Sequence, residues 1–243
     1  NVGFVLSLKQ GNYTPLRFIN FGFNYRKVKS FDRNVSVRGT GSKSQTQQFA
    51  QMVWDNEKEY DRFITEYDLI DNRVFGDEYY DVPWLAPLAY QSNLLHLDDR
   101  EEWAPYMKND NTVYSDYDTR ERGAIHSYDF NVAFNFSDRF YLGATLGLYS
   151  IDYTRSTSYY EEFLNNNQFD GEYRINNDLD IDGTGVDFKL GFILRPFESS
   201  PLRIGAAITT PTYYNLSEYQ GTSLHFDNFN YNFPDINSDF VKG

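Results

Sequence analysis

The chain contains no cysteine. A disulfide scaffold, a thiolate nucleophile and a cysteine-based zinc site are therefore excluded. It has three histidines, His96, His126 and His225, too scattered for a metal motif or for paired axial haem ligands. It lacks any long apolar run, and its mean hydropathy is -0.63, so no segment reads as a transmembrane helix. That does not exclude transmembrane strands, whose alternation averages to near-neutral hydropathy. Positive charge is scarce: 22 Lys and Arg stand against 35 Asp and Glu, for a net charge of -13. This argues against nucleic acid as a partner, because phosphate binding needs a basic surface. What the chain has in excess is aromatic residues, 21 Tyr and 21 Phe. Barrel girdles and surfaces that touch lipid or carbohydrate use these side chains heavily.

The stretch Ser127 to Leu148 sets the fold class. Tyr128, Phe130, Val132, Phe134 and Phe136 fall on one side of an extended chain, and Asp129, Asn131, Ala133 and Asn135 on the other. Ser137-Asp138-Arg139 interrupts the alternation. Phe140, Leu142, Ala144, Leu146 and Leu148 resume it, with Tyr141, Gly143, Thr145 and Gly147 opposite. Two alternating runs joined by a tight polar turn predict an antiparallel hairpin. One apolar wall with aromatics at its turn end, backed by a small or polar wall, fits a membrane barrel strand. It also fits a half-buried strand of a soluble β-protein.

The same alternation predicts about six strands. The first covers Val2 to Leu8, followed by a turn at Gly11–Pro15. The second starts near Phe18, with Ile19, Phe21, Phe23 and Tyr25 opposed to Asn20, Gly22, Asn24 and Arg26; it extends an undetermined distance into 27–43. The hairpin supplies the third and fourth strands, extended to Glu121 and Tyr159, with a bend at Asn165-Asn166-Asn167. In the fifth, the apolar residues are odd-numbered from Tyr173 to Ile181 and even-numbered from Val186 to Leu194. A one-residue slip moves every side chain to the other face, so a bulge is expected at Gly183-Thr184-Gly185. The sixth runs from Leu202 through Ile208, and the remainder from Gln220 reads as loop.

Between the second and third strands the period changes. Phe49, Met52, Val53, Tyr60, Phe63, Ile64 and Tyr67 recur at three and four, which predicts helix within 44–70. A second short helix is expected over 83–95, opened by Pro83. Residues 40–118 thus form a long, partly helical insertion, a feature usually tied to binding. Connections after the odd strands read as short and those after the even strands as long, the asymmetry of an outer-membrane barrel. Both ends fall within strand-like pattern, so the chain reads as a piece of a longer protein.

Gly185-Val186-Asp187-Phe188-Lys189-Leu190-Gly191-Phe192-Ile193-Leu194-Arg195-Pro196 is followed by Leu202-Arg203-Ile204-Gly205-Ala206-Ala207-Ile208-Thr209-Thr210-Pro211. Together with Tyr141 to Gly147, Asn1 to Phe4 and Asn20 to Tyr25, these strands resemble the FadL/TodX family of outer-membrane transport proteins, in the form found in Bacteroidetes-like bacteria. The resemblance covers about two thirds of the chain. It implies a barrel of about fourteen strands, plugged by an N-terminal hatch, that passes hydrophobic molecules such as long-chain fatty acids. The hatch motif is not in this sequence, and six strands are a partial wall.

Several constellations invite chemistry. Asp178-Leu179-Asp180-Ile181-Asp182-Gly183 matches the start of a calcium loop, but the twelfth position, which should be Glu, is Lys189. A strand end with Asp178, Asp180 and Asp182 on the wet side is the simpler alternative. Asp98-Asp99, Glu101-Glu102 and Glu161-Glu162 are acidic pairs. Glycoside hydrolysis needs carboxyls on opposite sides of a cleft, so a solvated loop is the preferred account. Asn24, Arg26, Asp129, Asn131, Asn135, Asp187, Lys189 and Arg203 would line a lumen, as a permeation path or as structural pairs. Phe49, Trp54, Phe63, Trp84, Leu88, Leu95 and Trp103 in the insertion would form an apolar ligand-catching site, or a small core of their own.

The sequence is thus expected to form an all-β, antiparallel up-and-down transmembrane β-barrel, present in part, with a long partly helical extracellular loop. Its expected function is passive uptake of a hydrophobic small molecule across the bacterial outer membrane, in contact with membrane lipid, without cofactor and without catalysis. The competing expectation is a secreted or surface β-sandwich or barrel that binds sugar or lipid. A hydrolase is disfavoured for want of a nucleophile or metal constellation.

Overall fold

The computed structural model describes the whole chain except residues 12, 71–82, 108–111, 166–167, 198, 229–230, 233–235, 238–240 and 243. The elements, in order, are β1 (Val2–Lys9), β2 (Leu16–Ser30), β3 (Arg33–Gly41), α1 (Thr46–Tyr60), α2 (Glu66–Ile70), α3 (Leu85–Gln91), β4 (Leu95–Leu97), β5 (Trp103–Pro105), β6 (Thr112–Phe136), β7 (Phe140–Asn165), β8 (Gln168–Leu194), β9 (Ile204–Thr209), β10 (Tyr213–Asn228) and three two-residue strands, β11 (Tyr231–Asn232), β12 (Ile236–Asn237) and β13 (Val241–Lys242). The class is all-β. The main sheet runs β1-β2-β6-β7-β8-β10-β11; β3 also pairs with β6, β9 with β8, and β12 and β13 with β10. No pairing among the described residues joins β1 to the opposite edge.

The chain divides into two compact units. The first comprises Asn1–Asp32, Arg122–Tyr153 and Ile181–Ser217; the second comprises Arg33–Glu121, Thr154–Asp180 and Glu218–Gly243. β6, β7, β8 and β10 each contribute a segment to both.

The first unit is a single antiparallel layer with two unlike faces. Pairing in β1–β2 sets Phe4 beside Phe23 and Leu6 beside Phe21. Pairing in β2–β6 sets Phe23 beside Phe130 and Phe21 beside Val132. Pairing in β8–β9 sets Leu190 beside Ile208 and Phe192 beside Ala206. Each register therefore joins the apolar side of one strand to the apolar side of the next. The hairpin turn behaves as its composition predicts. Ser137 and Asp138 both have positive φ (51° and 60°), the backbone a two-residue hairpin loop needs. Asn135 locks it: its amide donates to Asp138 Oδ1 (2.7 Å), and its Oδ1 accepts from the Asp138 N–H (3.0 Å).

The second unit is two-layered. The insertion packs on one side of its strands, and Phe49, Val53, Leu88, Leu95 and Trp103 share a closed core with Phe163, Tyr173, Ile175, Leu224 and Phe226. Phe49 meets Tyr173 edge-on at 6.3 Å, and Tyr106 meets Phe226 edge-on at 4.8 Å. α1 buries Thr46, Phe49, Ala50 and Val53, the stripe a period of 3.6 provides.

Several expectations need correction. The helix expected within 44–70 is two helices, because Asp61 enters the left-handed region (φ 46°) and ends α1. The helix expected over 83–95 stops at Gln91, and Leu95 begins β4, which pairs with β5. The second strand continues through 27–41 as β2 and β3, both on β6, with a bulge between Lys27 and Lys29. Residues 213–228, mostly assigned to loop, form β10. The long connection expected after the fourth strand does not exist: β7 ends at Asn165 and β8 begins at Gln168. Asn166 and Asn167 of the expected bend lie outside the described residues. Length that reads as loop is strand, because its polar residues alternate with apolar ones that the insertion covers.

The bulge expected at 183–185 does not reverse the faces of β8. From Tyr173 to Lys189 the odd-numbered side chains stay on the less exposed side. Tyr173 and Ile175 are apolar because the insertion lies on them, whereas Asp187 and Lys189 are polar on that same side. The apparent slip is a change of what faces the strand.

Candidate functional site

Two sites follow from these faces. The first is the apolar band of the first unit. On β6 it runs from Tyr128 to Phe136, on β7 from Phe140 to Leu148, and on β8 from Val186 to Leu194. Each run is nine residues long, at the lower end of the about 9–11 residues of a tilted membrane strand. Phe130 and Phe188 are 47% and 46% exposed, while Val132 and Phe134 are half-buried. The rings stack side by side, Phe4 to Phe23 at 5.8 Å, Phe23 to Phe130 at 5.2 Å and Phe140 to Phe192 at 6.2 Å. Tyr25, Tyr128 and His126 close one border, with the Tyr25 hydroxyl 2.8 Å from His126 Nδ1. A soluble monomer rarely exposes an apolar patch of this extent.

The opposite face of that unit carries the charges. Asp129 and Asp187 are buried side by side. Lys189 Nζ lies 3.5 Å from Asp187 Oδ1 and 3.9 Å from Asp129 Oδ1, and Arg26 Nε lies 3.9 Å from Asp129 Oδ2. Tyr149 donates to Asp187 Oδ2 (2.7 Å) and Ser127 to Asp129 Oδ1 (3.2 Å). The Asn24 amide is 3.5 Å from Asp129 Oδ2. Asn131 accepts from Thr145 at 2.6 Å, Asn135 serves the turn, and Arg203 is exposed outside the cluster. Five of the eight expected lumen residues thus form one neutral network of two carboxylates and two cations. Pattern alone did not single out Tyr149, Ser127 or Gly147.

Gly147 makes this network possible. A Cβ there would overlap Asp187 Oδ1 and lie 3.3 Å from Asp129 Oδ1. We expect Gly147→Ala to push Asp187 off Lys189 and Tyr149 and to cost about 1–3 kcal/mol, read by urea unfolding. Gly143→Ala, whose Cβ would sit 3.8 Å from its nearest neighbour, is expected to change stability by less than ~0.5 kcal/mol.

The second site is the insertion. Of the seven residues expected to catch ligand, Phe49, Leu88, Leu95 and Trp103 are buried in the closed core and Trp84 packs against it. The Trp103 indole donates to the Ile64 carbonyl at 3.0 Å. Trp54 and Phe63 are exposed, at 42% and 53%. The structure does not bring these seven together at one surface.

The acidic candidates resolve differently. Asp178, Asp180 and Asp182 lie within β8 on its exposed side, in extended backbone rather than a loop. Among the described residues no three or more His, Asp or Glu side chains are gathered as a metal site would need. Asp98 accepts from the N–H groups of Arg100 and Glu102 (2.9 and 3.0 Å) and so forms the β4–β5 turn.

Glu161 is not in a solvated loop; its side chain is fully buried. Ser44 donates to Oε2 at 2.6 Å, the Gln45 N–H approaches both oxygens at 3.2 Å, and Tyr159 donates to Oε1 at 2.9 Å. Burial, with Glu161 beside it, pushes the Tyr159 hydroxyl up to about 12, and Tyr173 is likewise raised by burial and by Glu161. Both phenols stay protonated at neutral pH and act as donors: Tyr173 donates to Gln45 Oε1 at 3.3 Å. The available sign was parity, since Tyr159, Glu161 and Phe163 are alternate residues on one side of β7.

Set against known proteins, the chain matches no family model, no curated protein and no solved structure.

Proposed function

We propose that this chain is part of the wall of an outer-membrane β-barrel that takes up hydrophobic small molecules, of which long-chain fatty acids are the type, as its strand motifs resemble those of the FadL/TodX transport proteins. The single observation that carries the proposal is the apolar band of the first unit. It is continuous by register from β1 through β2 to β6 and from β8 to β9, is carried across β7 by ring contacts of Phe140 with Phe136 and Phe192, and is largely exposed. The opposite face is polar and internally paired, as a wall in contact with water requires. No cofactor or catalytic step belongs to this function. The insertion supplies the ligand-contacting part, with Trp54 and Phe63 as its exposed aromatics.

The alternative, a sugar- or lipid-binding sandwich, needs a second layer over the band. The exposure of Phe130 and Phe188 speaks against that layer.

Cell fractionation and uptake test the proposal. Expressed from its complete gene with an export signal, the protein is expected in the membrane fraction and to require detergent for extraction. Cells are expected to take up a fluorescent C12 fatty acid faster than cells lacking the gene, and deletion of residues 45–100 is expected to alter that rate. A monodisperse product without detergent would replace this function with the soluble binding module.

A further inference from the structure

A carboxylate sealed in a protein interior is held either by a cation or by several donors. Glu161 has the second arrangement: no salt bridge to it forms among the described residues, and its oxygens take donors from three places in the chain. Ser44 and Gln45 lead into α1, Tyr159 lies on β7, and Ser115 on β6 lies 3.4 Å away. Each strand donor is fixed in a sheet, whereas Ser44 and Gln45 belong to the start of the insertion. The Ser44 hydroxyl also lies 3.0 Å from the Thr46 N–H and 2.8 Å from Thr46 Oγ1, so it ties Glu161 to the first turn. The negative charge at the start of α1 also meets the positive end of the helix dipole, which favours the contact. The first apolar contact of the insertion, Phe49 on Tyr173, follows within one turn. A cavity of about 490 Å³ lined by Lys43, Gln45, Gln48 and Tyr159 lies alongside, so water can reach these donors once they are released.

We propose that Glu161 is the latch of the insertion. Its carboxylate pins Ser44 and the start of α1 to β7, and loss of that acceptor frees α1 from the strands while the rest of the sheet stays folded. Glu161 is a positioning residue: it acts on the insertion through Ser44 and Gln45. Resting on the transport function proposed above, the latch deepens it, because a ligand moving along the covered side of the second unit has to displace the insertion that Glu161 holds.

Hydrogen exchange of the full chain, folded in detergent, tests the latch without reference to transport. Glu161→Gln keeps the size but places an NH2 where two acceptor oxygens were needed. Exchange of the 46–60 amides is expected to rise at least tenfold, with exchange across 128–136 unchanged. Glu162→Gln, on the other side of the same strand, is the control and is expected to leave both unchanged. Unchanged protection of 46–60 in Glu161→Gln would overturn the latch. Should Glu161→Gln lose protection in 128–136 as well, Ser44→Ala decides. Faster exchange confined to 46–60 supports the latch, and unaltered exchange there overturns it. The same variants in liposomes, with a fluorescent C12 fatty acid as probe, read the coupling to transport. Faster flux in Glu161→Gln is expected. An absence of flux in wild type and variants alike would overturn the transport function while leaving the latch to stand on exchange alone.

Discussion

On the proposed function, Leu190→Arg is expected to lower stability in lipid vesicles by about 2–4 kcal/mol, the cost of a guanidinium near the middle of a hydrocarbon layer. Leu190 is the central residue of the β8 run from Val186 to Leu194, and it sits beside Ile208 of β9. It is 38% exposed, and its cross-strand neighbour Ile208 is 70% exposed. The solvent therefore decides the outcome. In lipid, the arginine has to draw water and headgroups toward itself. In water, an exposed Leu→Arg change is worth less than ~0.5 kcal/mol. Urea unfolding from vesicles, compared with Asp182→Arg on the polar part of the same strand, separates the two. A neutral Leu190→Arg would show that the band faces water, and the transport function would fall with it.

Trp103→Ala is expected to cost about 3–5 kcal/mol and to loosen the insertion. The ring is buried in the core that α1, α3, β4 and β5 share, makes an edge-on contact with Tyr90 at 5.6 Å, and gives its N–H to Ile64. Truncation leaves a cavity and strands the Ile64 carbonyl. Near-ultraviolet circular dichroism and protease resistance of the insertion are the measurements. Trp54→Ala, half-exposed on α1, is expected to leave stability within ~0.5 kcal/mol and, if the exposed aromatics contact ligand, to change uptake alone. The pair separates the two roles the insertion tryptophans were given by pattern. A stability loss at Trp54 with none at Trp103 would reverse the assignment.

The band was legible because it depends on a period of two over nine residues, which survives any tertiary arrangement. The turn at Ser137-Asp138 was legible for a similar reason, since a polar break between alternating runs leaves few other shapes. The covered face of the second unit was not. Tyr173 and Ile175 look like strand residues that have changed register, because their apolar side is the side that is polar further along the same strand. Only the presence of the insertion explains it. Glu161 was misplaced on the same account: an acidic pair reads as solvated unless something is known to lie over it.

Alternation by itself determined the class, the hairpins and which side of each strand in the first unit is apolar, since these follow from local geometry and side-chain chemistry. Tertiary structure alone decided that the charges Asp129, Asp187, Lys189 and Arg26 meet, that four of seven insertion residues close on themselves, and that Glu161 receives two of its donors, Ser44 and Gln45, from more than a hundred positions away along the chain. Such contacts join strands far apart in sequence, and no local period encodes which segment will come to rest upon another.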